Sequence, residues 1–190
     1  MGKRLDQMND NLMEFIRNQK MFFVATAGSE GRVNISPKGL DSLRVINENK
    51  VIWLNLTGSG NETAPHLFEN GRMTLMFCAF EGKPLILRLY GNASVYHQRD
   101  TQWRDYTDLF PEYISARQII ELSIDLVQTS CGFGVPFYEY QGDRDLLTKW
   151  PDSKGADGIR DYQEKKNMLS LDGNTTNIFS DGWPGHKKAE

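Results

Sequence analysis

Cysteine is scarce: the 190 residues contain two, Cys78 and Cys131, too few for a disulfide framework to stand in for a core. Both sit in apolar, strand-like segments, so a buried free thiol is the expectation for each. No apolar run approaches the roughly 18 residues that a membrane-spanning helix needs, and no membrane partner is expected. Met1-Gly2-Lys3-Arg4-Leu5-Asp6 leads into mixed polar sequence instead of a secretion signal, and Asp6 stands where a myristoylation signal needs Ser or Thr. Without secretion, the Asn-x-Ser/Thr matches at Asn55, Asn61, Asn92 and Asn174 read as chance, and a cytoplasmic address is expected. A basic excess is missing too: 22 Lys and Arg against 25 Asp and Glu give a net charge of -3, which argues against a nucleic-acid partner.

Several chemistries lack their residues. His66, His97 and His186 have no partner at i+4, and there is no Cys-x-x-Cys pair, so no metal site is expected. Each histidine reads as an ordinary surface or supporting residue. No Gly-x-Ser-x-Gly elbow exists, and Ser36 is followed by proline, which leaves a serine hydrolase unsupported. Cys131 before Gly132 can be read as a nucleophile, but the buried-thiol reading is preferred. Rossmann and Walker patterns are missing, and no internal repeat is visible.

What is present is one domain's worth of core-forming sequence, 39% hydrophobic and 25% charged. Its organising stretch runs from Phe22 to Gly39. An apolar run, Phe22-Phe23-Val24-Ala25-Thr26, meets the turn Gly28-Ser29-Glu30-Gly31. A second arm alternates, with Arg32, Asn34 and Ser36 on one face and Val33 and Ile35 on the other. This predicts a β-hairpin with one buried face, the apolar one. The arm ends in Ser36-Pro37-Lys38-Gly39, a hydroxyl, a cation and a free backbone that could cradle a phosphate or simply form a turn.

Taken in order, Leu5, Met8, Leu12, Phe15 and Ile16 predict an amphipathic helix over about 4–19. After the hairpin, 43–46 and 51–56 read as strands, and 62–70 as a short helix with Asn61 as N-cap and Gly71 closing it. Long strands follow at 73–80 and 85–95, then a helix over 99–109 with Trp103, Tyr106 and Phe110 facing inward. A shorter helix is expected through 115–117, and a strong strand over 119–127. Leu146, Leu147, Trp150, Ile159, Tyr162 and Met168 suggest two short helices after Arg144. The core domain is expected to span 1–174, with 175–190 a loosely ordered polar tail. Six or seven antiparallel strands with flanking helices favour a barrel or sandwich.

Anion recognition is the chemistry left. Gly58-Ser59-Gly60-Asn61-Glu62-Thr63 runs a flexible loop into a helix N-terminus, which attracts phosphate but equally suits a plain helix start. Arg88, in Leu85-Ile86-Leu87-Arg88-Leu89-Tyr90-Gly91, lies among apolar neighbours and needs an anionic partner.

These pieces, with Leu87-Arg88-Leu89-Tyr90-Gly91-Asn92-Ala93, Ser130-Cys131-Gly132-Phe133-Gly134-Val135-Pro136 and Lys166 to Gly173, resemble the flavin-binding split-barrel family related to pyridoxamine 5′-phosphate oxidase, in an uncharacterised branch. The resemblance implies a mainly β (α+β) fold, a six-stranded antiparallel split barrel with flanking helices, forming a homodimer with two FMN sites at the interface. It implies cofactor contacts from Arg32, Asn34, Ser36, Pro37, Lys38 and Gly39, from Gly60, Asn61 and Thr63, and from Arg88. Cys131 and Gly132 would approach from the other subunit. One departure stands out. The family's oxidases carry a Trp followed by Arg near the C-terminus, and the strand Ile120-Glu121-Leu122-Ser123-Ile124-Asp125-Leu126 has no such pair, which argues against vitamin B6 oxidation.

The expectation is therefore an FMN-dependent oxidoreductase acting on a small molecule, with NADH or NADPH as electron donor and no catalytic acid or base identified. The alternative is a protein of the same fold that binds or senses flavin, deazaflavin or haem without turnover. A cofactor-free structural barrel is the third reading.

Overall fold

The computed structural model describes residues 2–179. Its strands form one antiparallel sheet in the order β3-β2-β6-β7-β8-β5-β4, with β1 added on β8. The strands are β1 (Arg4–Leu5), β2 (Phe22–Thr26), β3 (Asn34–Lys38), β4 (Leu43–Asn47), β5 (Lys50–Leu56), β6 (Arg72–Cys78), β7 (Ile86–His97) and β8 (Ala116–Ser130). The helices are α1 (Asp10–Asn18), α2 (Thr63–Asn70), α3 (Thr101–Thr107) and α4 (Leu146–Lys166). No helix among the described residues is long and apolar enough to cross a membrane.

β7 and β8 form the spine. They pair from Ile86↔Ser130 to His97↔Gln118, with a register shift between Tyr90 and Gly91 that leaves Asp125 as an extra residue in β8. Gly91 is required there, because a Cβ would fall 1.9 Å from the Ser123 carbonyl oxygen. Phe22, Val24, Trp53, Leu75, Phe77, Leu87, Leu89 and Leu122 form the main core, closed by Met8 and by Leu12 and Ile16 of α1. β5 is buried on both faces: its other side, Ile52, Leu54 and Leu56, packs with Phe110 and Ile119 under Trp103 and Tyr106, which face inward as expected.

Several boundaries differ from the sequence expectation. Residues 4 and 5 pair with β8, and the first helix starts only after Asn9, whose side chain accepts from the Leu12 N–H. In place of the expected helix at 115–117, β8 begins at Ala116, because Ala116 pairs with Leu56 of β5 and Gln118 with Asn55 of β5 and His97 of β7, leaving Arg117 at a bulge between them. The expected pair of helices after Arg144 is present as α4, broken at Gly155 (φ 68°, ψ 175°). Within the expected tail, Thr176 and Ile178 are buried, and the Ile178 and Asn177 carbonyls accept from Arg99. The remainder of that tail, 180–190, lies outside the described residues, as does His186.

Two histidines are interior residues, contrary to the surface alternative. His66 is 2% exposed and shares a hydrogen bond with Thr26 Oγ1 (3.1 Å). His97, 3% exposed, meets Gln118 Nε2 at 3.3 Å, and Gln118 Oε1 accepts from Asn55 Nδ2 at 3.0 Å. Burial first, and then Arg99, push His97 down to about 4, so a neutral ring completes this polar chain.

Candidate functional site

β3 presents Asn34, Ser36 and Lys38 on the face shared with Thr26, Val24 and Phe22 of β2. Val33 and Ile35 point the other way and are 74% and 65% exposed. The expected buried apolar face is thus reversed. The inner side of this edge strand meets α2 and the loop before it, whose groups are polar. Asn34 Nδ2 donates to Thr26 Oγ1 (3.1 Å) and Thr63 Oγ1 (3.3 Å).

The loop 57–62 is held from beneath. Asn61 is buried, its Nδ2 donates to the Asn167 carbonyl (3.4 Å), and its Oδ1 has no partner among the described residues. It is not the N-cap: Glu62 takes that place without a side-chain capping bond, and its carboxylate instead accepts from the Leu171 N–H at 2.9 Å. Arg117, at the start of β8, is 4% exposed. Its Nη1 donates to the Gly60 carbonyl (3.0 Å) and Asn167 Oδ1 (2.9 Å), while its Nε has no partner among the described residues. Asn167 Nδ2 donates to the Gly58 carbonyl (3.0 Å), and Gln163 Nε2 to Thr57 Oγ1 (2.7 Å). Two residues from the C-terminal segment thereby fix the glycine-rich loop.

Lys38 Nζ stands 4.9 Å over the ring of buried Trp53. Among the described residues no carboxylate pairs with it or with Arg117. Burial first, and the Arg117 charge second, pull the Lys38 ammonium down to about 8. Burial likewise lowers Arg117 to about 10. Pro37, Lys38, Gly39, Thr57 and Gly58 border a cavity of about 780 Å³, whose far wall comes from residues 140–162.

Not every expected residue joins this group. Arg32 is exposed and pairs with Asp172, which also accepts from the Arg32 N–H (2.8 Å). Arg88 shares a row with Pro37, Phe23, Met76 and Gln128, on the face opposite Lys38, and its Nη1 donates to Ser130 Oγ (3.2 Å). Cys131 is free but exposed, correcting the buried-thiol expectation: the strand ends at Ser130 and the chain turns outward. Gly132 makes that turn at φ 69°, with a Cβ position only 2.7 Å from the Leu85 nitrogen. The residues thus fall into an inner set around Lys38 and an outer set of Arg88, Cys131 and Gly132.

Arg117, Trp53 and Asn167 escaped the sequence reading. Arg117-Gln118, at the head of an apolar strand, carries the same signal as Arg88, but Arg117 falls within the stretch 115–117 for which a helix is expected. Asn167 gave no local signal, since its partners are 50 and 109 residues away.

The sequence model of the pyridoxamine 5′-phosphate oxidase family matches residues 8–131. The pyridoxamine 5′-phosphate oxidase family protein ustO of Aspergillus flavus is 38% identical over 186 residues, covering 88% of this chain and 75% of its own. Two solved structures share the fold, each at 18% identity. One is assigned to the pyridoxamine 5′-phosphate oxidases of Lactobacillus delbrueckii (TM-score 0.52, 65% of this chain and 94% of its own). The other is a HupZ variant from Group A Streptococcus (TM-score 0.51, 64% of this chain and 98% of its own). The fold is the expected split barrel, mainly β with flanking helices, and the chain belongs to the pyridoxamine 5′-phosphate oxidase family.

Proposed function

We propose that this protein binds FMN and is a flavin-dependent oxidoreductase acting on a small molecule, as a cytoplasmic homodimer with NADH or NADPH as electron donor. The observation that carries the reading is the pair Lys38 and Arg117: two largely buried cations, without a carboxylate partner among the described residues, beside a glycine-rich loop and an open cavity. The orphaned Arg117 Nε, a donor, supports an acceptor at that loop, and the orphaned Asn61 Oδ1 calls for a donor beside it.

Bound FMN would supply hydride chemistry at its ring. The chain's own contribution is binding and electrostatics. Asn61, Thr63 and the backbone at Gly60 would hold the phosphate end, Asn34 and Ser36 the ring on the inner side of β3, and the backbone of Pro37 and Gly39 the ring at the strand end. Lys38 would stabilise negative charge at the ring edge, with Trp53 fixing its position. Arg88, Cys131 and Gly132, facing away from this set, would serve the partner subunit's site, and the exposed Val33 and Ile35 suit a dimer contact. Arg32, held by Asp172, would contribute at the rim.

The alternative is a non-catalytic flavin-binding protein of the same fold: among the described residues no histidine or cysteine lines the cavity, and its titratable groups are Lys38, Tyr140, Asp143 and Tyr162 with the rim cations. The absorbance spectrum of the purified protein, before and after FMN and removal of excess, tests the cofactor. Anaerobic bleaching by NADH or NADPH tests turnover. A colourless protein that does not retain FMN overturns the reading.

A further inference from the structure

The cavity beside Lys38 has a wall of separate origin. Tyr140, Leu147, Trp150 and Tyr162 all lie beyond residue 131, where the match to the family model ends. The broken helix α4 builds this wall. Pro151 is buried, the chain breaks at Gly155, and the two halves fold so that Trp150 and Tyr162 meet edge to face at 4.9 Å. Met21 and Leu40 complete the apolar lining opposite.

Resting on the reading that Lys38 borders the cofactor, we propose that this cavity is the substrate pocket and takes a flat apolar molecule carrying one negative charge, of the aromatic-carboxylate or phenolate type. The charge count favours that class. At the rim Lys20 is drawn over the Tyr140 ring (5.5 Å), and exposed Asp143 engages the Tyr140 hydroxyl, raising its pKa. Arg144 is exposed to solvent at the same rim. Of the three lining cations, none paired with a carboxylate among the described residues, Lys20 and Arg144 are exposed and screened by water, whereas Lys38 is the one held largely out of solvent. A neutral ligand would leave that ammonium desolvated and uncompensated, and a phosphate dianion would carry excess charge against apolar walls. A monoanion with an aromatic body satisfies both: its head meets Lys38 and its ring meets Trp150.

The probes are 2-naphthoate, its neutral alcohol 2-naphthalenemethanol, and 2-naphthyl phosphate, titrated calorimetrically into the apo and FMN-loaded full-length protein. The expected result is that naphthoate binds both forms, about tenfold or more tighter than the alcohol or the phosphate. Lys38→Met should erase the preference for the acid over the alcohol, and Trp150→Ala should weaken both about tenfold. Because Trp150 supports local packing, Leu147→Asp, at a position 39% exposed, provides the second variant: it should repel naphthoate with unchanged melting temperature. Equal binding of acid and alcohol to the native protein, or naphthoate insensitive to Lys38→Met and Leu147→Asp, overturns the proposal. Competition between naphthoate and FMN also overturns it, since the cavity would then belong to the cofactor. Naphthoate binding dependent on Lys38 in a protein that never takes up FMN would sink the cofactor reading and leave the pocket standing.

Discussion

Lys38 and Trp53 face each other across the barrel interior, the ammonium 4.9 Å above the indole ring, at the point where β3 leaves the sheet. The ring stabilises the charge, burial opposes it, and the balance leaves the group titrating at about 8. An anion bound beside it would supply the missing counter-charge. Lys38→Met should therefore cost at least tenfold in FMN affinity, measured by fluorescence quenching of the titrated flavin. Unchanged affinity would remove Lys38 from the site.

The same group sets a pH dependence. Lys38 loses its proton as pH rises through about 8, so affinity for an anion should fall between pH 7 and 9. Its unfolded value is 10.5, so between about 8 and 10.5 the unfolded chain binds more protons, and this residue's unfavourable contribution to stability is relieved as pH rises. An affinity that stays flat to pH 9.5 in the native protein would contradict the assignment.

Asn167 joins Arg117, Gly58 and Asn61 in one buried cluster. Asn167→Ala leaves the guanidinium and the Gly58 carbonyl short of partners, and should destabilise the fold by about 2–4 kcal/mol in urea unfolding. Its FMN affinity should drop as well, because the loop it anchors carries Asn61 and Thr63. A variant as stable as the native chain would show that water replaces these bonds.

His97 titrates at about 4 in the folded protein against 6.5 when unfolded. The unfolded chain binds the proton first, so the stability contributed by the neutral ring is present above pH 6.5 and lost as pH falls towards 4. The loss should reach up to about 3 kcal/mol, and it should vanish from the difference between pH 7 and pH 4 in a His97→Asn variant. Chemical denaturation at the two pH values decides.

Ile35, 65% exposed on the sheet edge, tests the assembly. Ile35→Asp should convert a dimer to a folded monomer in light scattering, with unchanged far-ultraviolet circular dichroism. A native chain that is monomeric at the same concentration would remove the dimer from the proposal.

Much of the architecture was legible because periodicity is local. Strands β2, β5, β6 and β7, the inward aromatics Trp103 and Tyr106, and the break within α4 all follow from spacing, glycine and proline. The alternation of β3 was legible too, but not which face it buries. That depends on what lies opposite, and α2 with its loop supplies polar partners, so Asn34 and Lys38 turn inward and Ile35 outward. Residues 116 and 117 are strand, not helix, because pairing of Ala116 with Leu56 and of Gln118 with Asn55 and His97 outweighs local helical preference.

The sequence by itself determined an antiparallel β protein with flanking helices, and its motifs singled out Lys38, Asn61 and Arg88 as candidate site residues. Only the tertiary structure decided that Lys38 and Arg88 lie on opposite faces, that Arg117 and Asn167 clamp the loop, and that residues 140–162 line the far side of the cavity. The physical reason is distance along the chain: alternation and capping act over a few residues, whereas a buried cation acquires its partners from strands and segments 50 or more residues away.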